Sequence, residues 1–225
     1  FQPLAAAMAT LQEDEMELGV TLMEIGASTT NIAVYHGSAI RHSGVIPIGA
    51  SSITHDIAIM LQIGIEEAEN IKIKYASASA SMSSPKLDIE LPSSSGQLER
   101  VIPEQEVSRY VEARMQEILQ MVIREISRAD IKDPLTYGIV MTGGGAKMRN
   151  IVHLAEKTLG VKVRQGYPLK IDGGEDFADG PGYVTAMGLL LWPLYAMDHI
   201  HMQRSGSGGF KDFFNRIRHT IEDLF

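Results

Sequence analysis

Between residues 24 and 31 the chain reads Glu-Ile-Gly-Ala-Ser-Thr-Thr-Asn, an acid at the end of an apolar run followed by small and hydroxylated residues. A turn of that composition gathers backbone N–H groups and hydroxyls, the donors that an oxyanion such as phosphate requires. Glu24 beside it would hold the water shell of a metal ion. The same residues also make an ordinary serine- and threonine-rich hairpin turn, because the flanking runs Val20–Ile25 and Ile32–Tyr35 are apolar and β-branched. About 115 residues later Thr142-Gly143-Gly144-Gly145 leaves a second apolar run and enters a helical pattern. Three glycines there let a flat or charged ligand meet the backbone with no Cβ in the way. Two such turns form a more specific constellation than either alone.

Holding those turns requires an ordered set of elements. Residues 4–17 read as a helix or its end, and Gly37-Ser38 turns the hairpin into a third strand, Ala39–Ile48. Ile53–Ile63 has helical spacing with Thr54 as its cap, and Glu66–Tyr75 is a second short helix. The serine tracts 76–84 and 93–96 read as flexible loops around a strand, Lys86–Leu91. From Pro103 to about Arg128 a long helix presents Val107, Val111, Met115, Ile118, Leu119, Val122 and Ile126 on one face and Arg109, Glu112, Arg114 and Glu117 on the other. A buried strand at Tyr137–Met141, helix at Met148–Leu159, strand at Lys162–Arg164 and helix at Pro181–Met197 follow. Strand, glycine turn, helix, strand is an α/β crossover, and the antiparallel hairpin makes the sheet mixed.

The bulk properties narrow the function. With 225 residues, 44% of them hydrophobic, the chain can bury a sizeable core. A net charge of -8 argues against broad nucleic-acid binding. The absence of cysteine rules out disulfides and thiolate metal sites and fits a reducing compartment. The opening residues lack the basic-then-apolar order of a signal peptide and an initiator Met, so the chain is expected to begin part-way through a longer protein.

Taken in order, these motifs resemble the second half of the actin-like ATPase superfamily, and within it the FtsA family of bacterial cell-division proteins. A phosphate motif of the form DIGGGTTD is matched by residues 24–31, an AExIK pattern by Ala68-Glu69-Asn70-Ile71-Lys72, and an adenosine motif by residues 138–146. The segment before the hairpin and residues 164–190 are similar too, so the likeness covers nearly the whole chain. It implies an α/β fold, the second half of an actin-like, ribonuclease H-like architecture. In that architecture 1–17 connect from a missing N-terminal half, 18–64 and 131–198 form the inner subdomain, and 65–130 form the outer one. It also implies ATP with Mg2+ as cofactors: Gly26, Thr29 and Thr30 at the phosphates, Glu69 and Lys72 at the ribose, Gly143, Gly144, Gly145 and Lys147 at the adenosine, and Glu24 on the metal through water. Glu69 and Lys72 share a helix face where they would bridge sugar hydroxyls, or simply pair with each other. Glu24 stands where the motif has Asp, Ala27 and Ser28 where it has glycines, and Asn31 where it has a second Asp. The extra methylene displaces the carboxylate by roughly 1.5 Å, and Cβ atoms at 27 and 28 crowd the phosphate. Little or no ATPase is expected from this chain alone. Other readings on the same fold are a decayed, non-hydrolysing binding module and half of an ATP-dependent phosphotransferase.

The C-terminus carries a separate signal. A linker at 199–209, ending in Ser205-Gly-Ser-Gly-Gly209, precedes residues 210–225, which hold four of the chain's six phenylalanines. At helical spacing Phe210, Phe213, Phe214, Ile217, Ile221, Leu224 and Phe225 fall within a stripe of roughly 120°. An apolar stripe on a glycine-serine tether requires an outside partner, a membrane surface or a protein groove. The resemblance implies the same: an amphipathic helix on the cytoplasmic face of the inner membrane at the division site, with the C-terminal tail of FtsZ bound by the outer subdomain. Arg109 and Arg114 would pair with that acidic tail, and self-association into actin-like filaments is a further implied contact.

Overall fold

The computed structural model describes residues 2–91, 100–130, 135–169 and 180–202. In chain order the elements are α1 (Gln2–Thr10), α2 (Glu13–Leu18), β1 (Val20–Ile25), β2 (Thr30–His36), β3 (Ala39–Ile46), α3 (Ala50–Leu61) and α4 (Ile65–Tyr75). Then come β4 (Asp88–Leu91), β5 (Arg100–Pro103), α5 (Glu104–Ser127), β6 (Ile139–Thr142), α6 (Ile151–Leu159), β7 (Val163–Gln165) and α7 (Val184–Met202). Five strands form one sheet in the order β3-β2-β1-β6-β7, and β4 pairs with β5 in a separate ribbon. β1 runs antiparallel to β2 and parallel to β6, so the sheet is mixed.

Burial explains why β1 and β2 lack the alternation of a one-sided sheet. Met23, Ile25, Ile32 and Val34 pack into a core with residues of α3, α5 and α6, while Val20, Leu22, Ala33 and Tyr35 pack on the opposite face with residues of α1 and α7. Both faces are covered, so every residue of β1 is buried. The helix expected over 4–17 is two, α1 and α2. The buried Glu15 makes the joint: its carboxylate accepts the Gln12 backbone N–H at 2.9 Å and a two-pronged contact from Arg164 at 2.8 and 2.6 Å.

Four local expectations are corrected. Thr54 does not cap α3 but lies inside it, because the helix starts at Ala50; its first N–H groups are met by the β1–β2 turn, Ala50 N–H donating to Gly26 O (2.9 Å) and Ser51 N–H to Ala27 O (2.8 Å). The serine tract 76–84 is no loose loop: Ser77, Ser79 and Ser83 are buried beside Ala76, Ala78 and Ala80, Ser77 Oγ donates to Ser79 O, and Asn150 Nδ2 donates to Ser77 Oγ. α6 starts at Ile151 rather than Met148, because a 3-10 turn over Gly144–Lys147 and a left-handed Asn150 (φ 60°) delay it. α7 extends to Met202, into the range read as linker; glycine and proline are absent from 198–202, so nothing there breaks it. The tract 93–96 and the apolar stripe of 210–225 lie outside the described residues.

Candidate functional site

β1 and β6 are parallel neighbours in register Glu24↔Thr142, so both end at one edge of the sheet, where α/β folds place ligands. The two glycine-bearing turns meet there. A Cβ on Gly143 would collide with the backbone carbonyl of Ile25, and one on Gly145 with the Ile25 side chain. Gly143 also adopts φ +85°, a left-handed value that glycine alone takes without strain. Close packing on β1 therefore requires two of the three glycines, and Gly144 is the one that faces open space. Gly49 completes the junction: a Cβ there would strike the carbonyls of Gly26 and Ala27. Gly143→Ala is expected to lower stability by about 2 kcal/mol through strain and clash, measured by urea unfolding.

At the hairpin tip Gly26 N–H donates to Thr29 O at 2.9 Å, Ala27 and Ser28 are exposed, and Thr29 is half-buried. Thr30 departs from expectation. It is fully buried, and its hydroxyl donates to Ile48 O at 2.8 Å, holding the neighbouring chain rather than facing a ligand. Glu24 is 6% exposed and engaged at both oxygens: Thr185 Oγ1 donates to one at 2.5 Å and Asn31 Nδ2 lies 3.5 Å from the other. Among the described residues no cluster of three or more His, Asp or Glu side chains could hold a metal directly.

Glu69 and Lys72 form an ion pair at 2.7 Å, as one-face spacing on α4 allows. Lys72 spends its donors internally, on Glu69, on Thr54 Oγ1 at 2.8 Å and on the Ala50 carbonyl at 3.3 Å. It thus ties α4 to the start of α3, next to the Gly26 turn. Glu69 is more open, and the bonds from Thr54 and Lys72 both go to Oε2, so Oε1 is the oxygen available to a sugar hydroxyl. Burial pushes the Glu69 carboxyl up, but the bonds from Lys72 and Thr54 and the lysine's charge outweigh it and hold the group below its ordinary 4.5.

Lys147 is exposed, its Nζ 5.1 Å from the centroid of the Tyr183 ring. The loop before α7 is pinned beside the glycine run by Gly143 N–H donating to Pro181 O at 2.9 Å. Of the two candidate partner arginines, Arg109 is exposed on α5. Arg114 is engaged, gripping both carboxylate oxygens of Asp56 at 2.6 and 2.8 Å and contacting Glu117. Burial lowers the Arg114 pKa less than Asp56 and Glu117 raise it, and the Asp56 bond is the largest of these influences.

Sequence reasoning missed Thr185, Arg149 and Glu104. Thr185 lies 161 positions from Glu24, and no local motif marks it. Arg149 follows the glycine run and contacts the carbonyls of Tyr75 and Ala76 and the buried carboxylate of Glu104. It joins the glycine loop to the serine segment that begins at Ala76.

Comparison with known proteins supplies the remaining evidence. A family model described as "Cell division protein FtsA" matches residues 21–188. The cell division protein FtsA of Pseudomonas aeruginosa is 40% identical over 213 residues, which are 94% of this chain and 51% of the relative. That of Bacillus subtilis is 38% identical over 190 residues, 84% of this chain and 42% of the relative. The chain thus spans about half the length of the curated relatives it matches. Among solved structures, MreB5 of Spiroplasma citri bound to AMPPNP has a TM-score of 0.72 at 19% identity, covering 90% of this chain and 60% of that one. A PilM-PilN type IV pilus biogenesis complex has a TM-score of 0.61 at 20% identity, covering 84% of this chain and 51% of that one. At these identities the structural likeness fixes the fold, which is actin-like.

Proposed function

The chain belongs to the FtsA family of cell-division proteins, and on that premise we propose that it is the second half of a peripheral membrane tether for the FtsZ filament, with a nucleotide site of the actin-like kind. The observation that carries the nucleotide reading is the junction at Ile25, where Gly143 and Gly145 pack against the end of β1 while Gly26 and Ala27 accept the first N–H groups of α3. Exposed Gly144, Ala27 and Ser28, with Glu69 close behind through Lys72 and Ala50, give phosphate and sugar groups places to contact. The solved MreB5 structures bound to AMPPNP and ADP support ATP as the nucleotide. Mg2+ would be held mainly by phosphates and water, with Glu24 at the edge of that shell. Thr29, Gly144 and Lys147 remain phosphate- and adenosine-side candidates, and Arg109 is the freer of the two arginines for an acidic FtsZ tail.

The internal engagement of Glu24 and Thr30 favours the non-hydrolysing variant of this reading. The membrane reading rests on the stripe from Phe210 to Phe225; among the described residues no helix is long and apolar enough to cross a membrane. Vesicle co-sedimentation tests it. The double change Phe213→Glu with Phe214→Glu is expected to weaken binding at least tenfold, since each buried phenylalanine contributes about 2 kcal/mol. Unchanged sedimentation would reject lipid contact. Titration with a fluorescent ATP analogue tests the nucleotide site, and steady ATP turnover by the chain would overturn the non-hydrolysing variant.

A further inference from the structure

The turn that opens α7 meets the glycine run at the edge where β1 and β6 end, and it brings there an aromatic side chain, Tyr183. Gly143 N–H donates to Pro181 O at 2.9 Å, and Tyr183 N–H donates to Gly180 O at 3.3 Å. Val184 is fully buried, and Thr185 Oγ1 donates to Glu24. The backbone that carries Tyr183 is therefore tied to the glycine run before it and to the end of β1 after it. Two further glycines make room for a lysine. A Cβ on Gly180 or Gly182 would come within 3.1 or 3.3 Å of Lys147 Cε. Without those atoms the Lys147 stem lies against the turn and sets its ammonium 5.1 Å from the centroid of the Tyr183 ring.

This arrangement sorts the parts of a ligand. Tyr183 stays 48% exposed although Lys147 takes one face of its ring. The open face of a phenol ring is electron-rich, so it repels phosphate, whereas a flat uncharged ring stacks on it. Gly182 sits across from Gly144, whose Cα would lie 3.9 Å from a Cβ on Gly182. A ligand resting on the exposed Gly144 backbone thus has the tyrosine ring beside it. The ring is held in place beforehand, so stacking on it loses little to ordering.

We propose that Tyr183 is the platform on which the base of a bound nucleotide stacks, with Lys147 bracing the opposite face of the ring. The proposal rests on the nucleotide reading above and adds to it the residue that favours a ligand with a base over one without. Stacking reads the face of a base and not its edge, so the platform separates ATP from a baseless triphosphate rather than adenine from guanine.

Calorimetric titration of the chain with ATP and, separately, with ribose 5-triphosphate, which keeps the sugar and phosphates and lacks the base, tests this. ATP is expected to bind about tenfold more tightly, the worth of one stacked base. Tyr183→Ala should abolish that difference with ribose 5-triphosphate unchanged, and Tyr183→Phe, which keeps a ring, should retain it. A second readout uses the parent chain. ATP should move the ring-proton NMR signals of Tyr183, identified by their absence from Tyr183→Phe, upfield, and ribose 5-triphosphate should leave them in place. An ATP preference that survives Tyr183→Ala, or Tyr183 ring signals that stay put at saturating ATP, would overturn the platform and leave the nucleotide site standing. A parent chain that binds neither compound would overturn the nucleotide site and the platform together.

Discussion

Glu104→Ala is expected to lower the stability of the chain by about 3 kcal/mol and to loosen residues 76–84 first. The carboxylate is 3% exposed and serves two partners: Arg149 Nη2 on one oxygen and the backbone N–H of Ser84, at 2.7 Å, on the other. Removing it leaves the N–H of the half-buried Ser84 unanswered and frees an arginine whose other contacts are the Tyr75 and Ala76 carbonyls. Arg149 is half exposed and can turn to water, so the loss falls at the low end of the range for broken buried pairs. Urea unfolding gives the magnitude, and hydrogen exchange gives the place, with faster exchange at Ala78 and Ser84. A loss below about 1 kcal/mol would show that the serine segment is held by packing alone.

The same residue sets a pH dependence of known sign. Burial raises the Glu104 carboxyl, but the Arg149 bond, the Ser84 N–H and the arginine's charge outweigh it and hold the group below 4.5. Near that value the unfolded chain binds the proton more readily than the folded one. The stabilisation is therefore fully present above 4.5 and is lost as pH falls through the depressed folded value. Glu69 shifts in the same direction, so wild-type stability falls on acidification for both reasons. The difference between wild type and Glu104→Gln isolates one of them: it should shrink as the pH is lowered from 6 toward about 3.

What the sequence revealed and what it hid divide along the range of the interactions. The hairpin from Val20 to His36 and the turn after Thr142 were legible because β-branched runs and glycines act on their immediate neighbours. The roles of those glycines were only half legible. A glycine run looks the same whether it admits a ligand or admits Ile25, and here Gly143 and Gly145 do the second. Thr54 looked like a cap because local capping is the commonest way to satisfy a helix start; the Gly26 and Ala27 carbonyls, more than 20 residues upstream, do that work instead. The tract 76–84 looked flexible because serine and alanine bury little area. Their small size is what lets Ser77 and Ala78 lie against Arg149 and Asn150, where Ala78 N–H donates to Arg149 O at 2.9 Å. Glu24 with Thr185 and Glu104 with Arg149 are pairings of distant segments, and no spacing rule encodes them.

Gly188→Ala should destabilise the chain by at least about 3 kcal/mol, although in an exposed helix the same change stabilises by about 1 kcal/mol. The reversal comes from the crossing of α1 and α7. A Cβ on Gly188 would run into the carbonyl group of Ala5, and backbone atoms cannot rotate aside as a flexible side chain can. The contact is close because α1 presents Ala5, Ala6, Ala7 and Ala9, all at most 3% exposed, and Val184 of α7 is fully buried among the same residues. To admit one methyl the two helices must separate along their length, opening the layer that covers Val20, Leu22 and Tyr35 on that face of the sheet. Thr185, at the start of α7, would move with it and release Glu24. Trp192, the chain's single tryptophan, sits one helical turn beyond Gly188 and is 49% exposed, so its emission reports the displacement directly. A red-shifted spectrum with a lower unfolding midpoint is the expected result, and a Gly188→Ala chain as stable as the parent would mean that α1 and α7 do not cross this closely in solution.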